Sequence, residues 1–323
     1  MKTFSEIDNL IFAEMQKNDW TRQPAELYKP IEYVMSLGGK RVRPAFAMMA
    51  CNVFTDEIDV ALTPAIGLEI LHNFTLMHDD IMDMAEIRRG QPSVHKKWDI
   101  NTAILSGDAM QSMAYQHIMQ VPEKYLPEVM QIFARTSLEI CEGQQFDMDF
   151  EKRESVTESE YIEMIRLKTA VLLACALKIG AILGDAQPAD AEQLYNFGIN
   201  FGLAFQLKDD LLDVYGDERT FGKKIGGDIL CNKKTLLLIN ALQSANSEDC
   251  KALKRWIAIA EPSNEKIIAV TEIFNRAGVK AICEERIAYY YDCALQNLEN
   301  LSVPEENTRE LITLSMKLMQ RND

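Results

Sequence analysis

Two short acidic segments, Asp79-Asp80-Ile81-Met82-Asp83 and Asp209-Asp210-Leu211-Leu212-Asp213, repeat the same spacing of three carboxylates 130 positions apart (79 to 209). On a helix, residues four apart share a face, so Asp79 stacks one turn from Asp83 and Asp209 one turn from Asp213. Like charges at that spacing cost a helix roughly a few tenths of a kcal/mol. A single such pair is equally well read as solvated surface. Here each cluster closes an apolar run of two to three turns, HNFTLMHDDIMD and FGLAFQLKDDLLD, and two copies in that setting outweigh the surface reading. Grouped hard carboxylate oxygens, with no His or Cys at ligand spacing, select Mg²⁺ over Zn²⁺. Mg²⁺ takes one or two carboxylates and completes its shell with water and phosphate oxygens, so the two clusters suit a diphosphate clamp.

Each cluster is followed by a basic, glycine-containing segment, EIRRG after the first and TFGKKIGG after the second. Further upstream, Gly38-Gly39-Lys40-Arg41-Val42-Arg43-Pro44 places three cations in a glycine-started turn at an expected helix N-terminus, where backbone N–H groups favour an anion. His72 lies seven residues before Asp79, two turns up on nearly the same face, and Gln206 shares the face of Asp209 and Asp213. Taken singly, each of these has an ordinary structural explanation: a solvated basic turn, a hydrogen-bonding helix histidine, or, for Lys168, a snorkelling surface lysine.

Read in order, GGKRVRP, DDIMD with RRG, Lys168-Thr169, Gln206 three before Asp209, and Gly222-Lys223 resemble the trans-prenyltransferase (isoprenyl or polyprenyl diphosphate synthase) family. The resemblance runs from residue 38 to 235, and it is closest to geranylgeranyl and farnesyl diphosphate synthases. It implies one isoprenoid synthase (polyprenyl synthetase) domain over 1–323, an all-α bundle around a central cavity. It assigns Asp79, Asp80, Asp83, Asp209, Asp210 and Asp213 to two or three Mg²⁺ ions, for which Mn²⁺ can substitute. Arg88, Lys168, Lys223 and Lys233 would hold the allylic diphosphate, and Lys40, Arg43, His72 and Arg89 the isopentenyl diphosphate. Lys168, Thr169, Gln206 and Lys223 form the catalytic set, with the dipoles of Thr169 and Gln206 facing a developing carbocation.

The implied reaction is head-to-tail condensation of isopentenyl diphosphate with an allylic diphosphate. Metal ions and basic side chains neutralise the leaving diphosphate, and the proton goes to that diphosphate, with no protein base. In the family, aromatic residues four or five positions before the first cluster shorten the product. Here the fifth is Phe74 and the fourth is the small Thr75, which favours a twenty-carbon product over fifteen carbons and over long quinone-type chains. Core packing is the plainer role for Phe74. A terpene cyclase would need no isopentenyl site, a non-catalytic partner subunit would be expected to lose aspartates, and a diphosphohydrolase would need a base that is not evident. The family also implies a homodimer.

The elements that must carry these residues read as helices. Gly 15 and Pro 10 are few for 323 residues, Met is frequent at 16, and helical periodicity recurs without competing strand alternation. The boundaries expected are near 3–18, 26–37, 44–54, 59–85, 100–119, 124–148, 158–184, 189–215, 233–244, 249–259, 264–277, 279–300 and 304–320. Thr157-x-x-Glu160 and Ser302-x-x-Glu305 read as capping boxes. A net charge of −15 argues against nucleic-acid and anionic-membrane partners, since phosphate backbones demand the opposite sign. The seven cysteines, without a Cys-x-x-Cys pair, point to reduced thiols and a cytoplasmic setting. The longest apolar stretch, Thr169–Leu183, is broken by Lys178, and the expectation is that nothing spans a membrane.

Overall fold

The computed structural model describes residues 1–18, 20–216, 225–259 and 261–320, and it is all-α as expected. The order is α1 (Phe4–Lys17), α2 (Ala25–Ser36), α3 (Val42–Asn52), a 3₁₀ turn (Ile58–Ala61), α4 (Leu62–Met82), β1 (Ile87–Arg88), β2 (Gln91–Pro92), α5 (Val94–Lys97), α6 (Ile100–Ile118), α7 (Leu126–Glu151) and α8 (Glu158–Ile165). A π turn (Arg166–Ala170) follows, then α9 (Val171–Leu183), α10 (Pro188–Tyr215), α11 (Gly227–Leu230), α12 (Leu236–Ser244), α13 (Ser247–Ile257), α14 (Asn264–Ala277), α15 (Val279–Glu299) and α16 (Glu305–Gln320).

The chain divides into two compact units: 1–137, 172–195 and 300–311 form the first, and 138–171, 196–299 and 312–323 the second. In the first, α4 packs most extensively against α6, with α3 and α1 on its other flanks. Leu68, Ile70, Leu71, Phe74 and Met77 of α4 are buried there. Among the described residues one helical stretch, Ile58–Met82, is long and apolar enough to cross a membrane by length and composition, rather than the Thr169–Leu183 run singled out from the sequence. It lies 67% buried within the protein, as a core helix does. In the second unit, Phe150, Tyr161, Leu207, Leu211, Leu237, Phe274 and Ile287 belong to one apolar core, and α12 lies against α14, α15 and α8.

Local sequence explains most boundaries. Thr157 accepts from the Glu160 N–H while Glu160 reaches back to the Thr157 N–H, so α8 starts on the expected capping box, and Thr3 with Glu6 does the same for α1. The second expected box does not form. Ser302 instead gives its backbone N–H, at 2.9 Å, and its hydroxyl to the buried carboxylate of Asp190, a stronger acceptor than a helix end requires a cap. The helix expected over 59–85 begins as 3₁₀ and stops at Met82, where Asp83 caps it. Behind it comes a two-residue hairpin that periodicity could not reveal. Ile87 pairs with Pro92 and Arg88 with Gln91 around Arg89-Gly90, both at positive φ (52° and 74°), as a tight hairpin turn requires.

The cysteines form no disulfide. Cys51, Cys175 and Cys283 are buried, Cys250 and Cys293 intermediate, and Cys141 and Cys231 exposed. Burial pushes the Cys51 thiol up to about 12, and the Cys283 thiol well above its ordinary value.

Candidate active site

The sequence-nominated residues fall into two groups, one in each unit. In the first unit, α3 begins at Val42 with Arg41 as its N-cap in the left-handed region (φ 44°), and no side chain caps the helix. Gly39 is needed as glycine: at φ 149° its backbone passes so close to Arg89 that a Cβ would lie 2.9 Å from the guanidinium. Arg89 donates to the Gly38 carbonyl and, at 3.4 Å, to Asn73 Oδ1. Below it, the buried Glu69 accepts from Asn73 Nδ2 at 3.1 Å. Burial raises the Glu69 carboxyl, and the charges of Arg43 and Arg89 pull it back only in part. Burial lowers Arg43 to about 10, which keeps it cationic at neutral pH, and its Nε has no hydrogen-bond partner. Dehydration, then Arg43, Arg89 and Arg88, hold the His72 imidazole well below its ordinary value, so it enters the site neutral. Arg43, His72 and Arg89 are thereby brought together, whereas Lys40 is exposed and, among the described residues, nothing ties its side chain to them.

The first aspartate cluster is asymmetric. Asp80 is 3% exposed and accepts from Arg88 Nε at 2.9 Å and from its Nη2, whereas Asp83 is exposed and Asp79 intermediate. Burial raises the Asp80 carboxyl and Arg88 offsets that. Arg88, nominated for a diphosphate, is thus already oriented by an aspartate. Phe74 is buried, its ring edge-on to His78 at 4.8 Å, and His78 Nε2 lies 3.1 Å from the Ile104 carbonyl. The Thr75 hydroxyl is turned back to the His72 carbonyl at 2.8 Å.

In the second unit, Lys168, Thr169, Gln206, Asp209, Asp210, Asp213 and Lys233 line one cavity of about 150 Å³. Lys168 and Thr169 sit in the π turn, a five-residue loop of helix that widens the ladder and is common at functional positions. Gly143 of α7 accommodates it, since a Cβ there would lie 2.3 Å from the Lys168 backbone nitrogen. One turn further on, Asp147 meets the Lys168 ammonium at 2.5 Å and Lys233 at 3.6 Å. Burial alone would push the Asp147 carboxyl up, but the two lysines outweigh it and hold the group below the usual carboxylate range.

Again the middle aspartate is the buried one. Asp210, 6% exposed, accepts from the Tyr161 hydroxyl and from Gln206 Nε2 at 2.9 Å. Gln206 Oε1 in turn accepts from Thr169 at 3.1 Å. Asp213 Oδ2 accepts the Asp228 N–H at 3.0 Å. Burial and then the neighbouring carboxylates raise Asp210 to about 7 and Asp228 well above the ordinary value. Such a crowd of acids is short of positive charge, which a divalent cation would supply. Among the described residues no group of three His, Cys, Asp or Glu side chains is placed to hold a metal ion. Lys223 lies outside the described residues.

Sequence reasoning missed Asp147, Tyr161, Gly143 and Asp228. Asp147 sits four residues after Gly143, on one face, and that Gly-x-x-x-Asp spacing was the available signal. Asp228, following Gly226-Gly227 and five residues before Lys233, was the other.

The family model described as Polyprenyl synthetase matches residues 24–274. The chain belongs to this family. Among its relatives is a geranylgeranyl diphosphate synthase of Methanosarcina mazei, 46% identical over 68% of this chain and 69% of the relative. A short chain isoprenyl diphosphate synthase of Methanothermobacter thermautotrophicus is 38% identical over 90% of this chain and 89% of its own. A crystal structure of a geranylgeranyl pyrophosphate synthase superposes with a TM-score of 0.94 at 41% identity, covering 100% of both chains. The family supplies the reason why the same polar groups recur around two aspartate clusters: its members are prenyltransferases.

Proposed function

We infer that this chain condenses isopentenyl diphosphate head-to-tail with an allylic diphosphate, releasing diphosphate and a short-chain prenyl diphosphate, with twenty carbons favoured. The observation that carries this reading is the second-unit cavity, where five aspartates and three lysines lie beside the uncharged Thr169–Gln206 pair. Charged groups suit a diphosphate, and weak dipoles suit a carbocation that a nucleophile would trap.

The six aspartates of the two clusters would hold Mg²⁺, with Asp80 and Asp210 already engaged by protein donors. Bound Mg²⁺ would neutralise charge on the leaving diphosphate. Lys168 and Lys233, with Arg88 and Lys223, bind the allylic diphosphate, the lysines as point charges and arginine in a bidentate fork. Arg43, Arg89, Lys40 and the neutral His72 bind the diphosphate of the isopentenyl partner. The uncharged ring of His72 adds a hydrogen bond there without adding to the repulsion among the arginines. No side chain of the cavity is assigned as a base, and the departing diphosphate takes the proton. The working form is a homodimer in the cytoplasm, and exposed Ile104 and Leu105 of α6 offer apolar surface for a second copy.

The test is incubation with Mg²⁺, isopentenyl diphosphate and, in turn, dimethylallyl, geranyl and farnesyl diphosphates. Diphosphate release and a longer prenyl product are expected, both abolished by EDTA. No condensation with any primer, or turnover insensitive to EDTA, overturns the reading. Product length is assigned to Phe74, whose buried ring lies five residues before the first cluster. Phe74→Ala is expected to shift the reverse-phase profile to longer products, and an unchanged profile removes Phe74 from that role.

A further inference from the structure

Tyr161, Asp210, Gln206 and Thr169 make an end-to-end hydrogen-bond series in the second unit, and all four line its cavity. The direction of the series is set at Asp210, whose two side-chain oxygens each accept from a protein donor. The Tyr161 hydroxyl donates to Oδ2, and Gln206 Nε2 donates to Oδ1 at 2.9 Å. With the amide nitrogen committed to Asp210, the amide oxygen faces Thr169, whose Oγ1 donates to it at 3.1 Å. A threonine hydroxyl has one proton and two lone pairs. Its proton is directed at Gln206, so what Thr169 has left to present to the cavity is lone-pair density.

We propose that Asp210 and Tyr161 are positioning residues that set the polarity of the Gln206–Thr169 pair, so that an electron-rich hydroxyl oxygen faces the cationic carbon of the allylic substrate. The series makes and breaks no bond; it selects one of two orientations. In the reversed orientation Gln206 Oε1 would face the carboxylate, the amide N–H would point at Thr169, and the Thr169 proton would be turned loose toward the cation. Tyr161 suits the task because it is fully buried at 1% exposure and held by the core of the second unit. It therefore anchors Asp210 from the side away from solvent. This inference deepens the prenyltransfer reading and rests on it.

The experiment is a double-variant cycle with Tyr161→Phe and Thr169→Val. It records kcat, KM for each diphosphate and the Mg²⁺ activation constant, with thermal unfolding to verify the fold. Tyr161→Phe is expected to lower kcat about tenfold, the scale of one hydrogen bond to a charged group. Both KM values and the Mg²⁺ constant should stay within about twofold, since the loss falls on the cationic transition state. In the Thr169→Val background the same change is expected to cost less than about twofold, while Thr169→Ser, which keeps the hydroxyl, retains full sensitivity. Additive losses in kcat, an unaltered Tyr161→Phe enzyme, or a loss confined to the Mg²⁺ constant would overturn the proposal. If Tyr161→Phe does not fold, Asp210→Asn takes its place in the cycle, because its added donor permits the reversed orientation; additivity with Thr169→Val again refutes the series. A wild-type chain that condenses no primer sinks the prenyltransfer reading itself, whereas an active wild type with an additive cycle sinks only the series.

Discussion

Asp209→Ala lowers kcat by about three orders of magnitude or more, and Asp79→Ala does the same, each with its fold intact. Removing one preorganised electrostatic contact at a developing charge typically costs about 10²–10³ in rate, and a lost metal ligand removes more than one such contact. Both residues sit at intermediate exposure, so truncation opens no core cavity and thermal unfolding should move little. The measurement is steady-state turnover over a Mg²⁺ titration. The expected signature is a fall in kcat together with a higher Mg²⁺ requirement. Turnover within tenfold of wild type at saturating Mg²⁺ would show that the cluster does not carry the metal. Asp80 and Asp210 provide the contrast, because their carboxylates are committed to Arg88, Tyr161 and Gln206.

Asp147→Asn gives the second large effect, and on stability first. Asp147 is the counter-ion that Lys168 and Lys233 share, with side-chain exposures of 13%, 21% and 27% respectively. Removing one member of a fully buried ion pair costs about 3–5 kcal/mol, and the partial exposure of both lysines brings this toward about 2 kcal/mol. That corresponds to a fall in Tm of about 3 °C for a chain of this length. Because the lysines lower the folded-state value of Asp147, its stabilisation is present above the ordinary carboxylate value of 3.8. It is lost as pH falls through the lowered value, so the Tm gap between the two proteins closes in acid. Added Mg²⁺ and diphosphate should reverse the deficit at neutral pH, since the ligand supplies the missing anion. A ligand-induced rise in Tm larger in Asp147→Asn than in wild type is therefore expected. Equal rises would mean that diphosphate does not reach Lys168 and Lys233.

The helices were legible because their signal is periodic and local. The stretch 264–277 begins and ends where its cap residues say, at Ser263 and Gly278. Ser302 was misread because its capping pattern is local while its actual partner, Asp190, lies 112 residues away. The Arg89-Gly90 hairpin escaped because two-residue strands carry no alternation to detect. The aspartates and the basic turn were found by type and spacing, whereas which aspartate of each three is buried was not. That depends on what lies 100° around the helix from Asp79 and Asp209, namely Arg88 and Tyr161, which sequence spacing does not connect to them. The π turn likewise left no mark in a run read as one helix over 158–184, since the residue that leaves room for it, Gly143, lies in another element.

The uneven burial of the thiols equips the protein for optical study without prior mutagenesis. Maleimide dyes attack thiolates at accessible positions, so Cys51 and Cys283 will stay dark while Cys141 and Cys231 take the label. Those two lie six residues before Asp147 and two before Lys233, the acid and the base of one ion pair. A substrate-dependent change in dye emission at either position would give a fluorescence readout of substrate binding that does not depend on turnover.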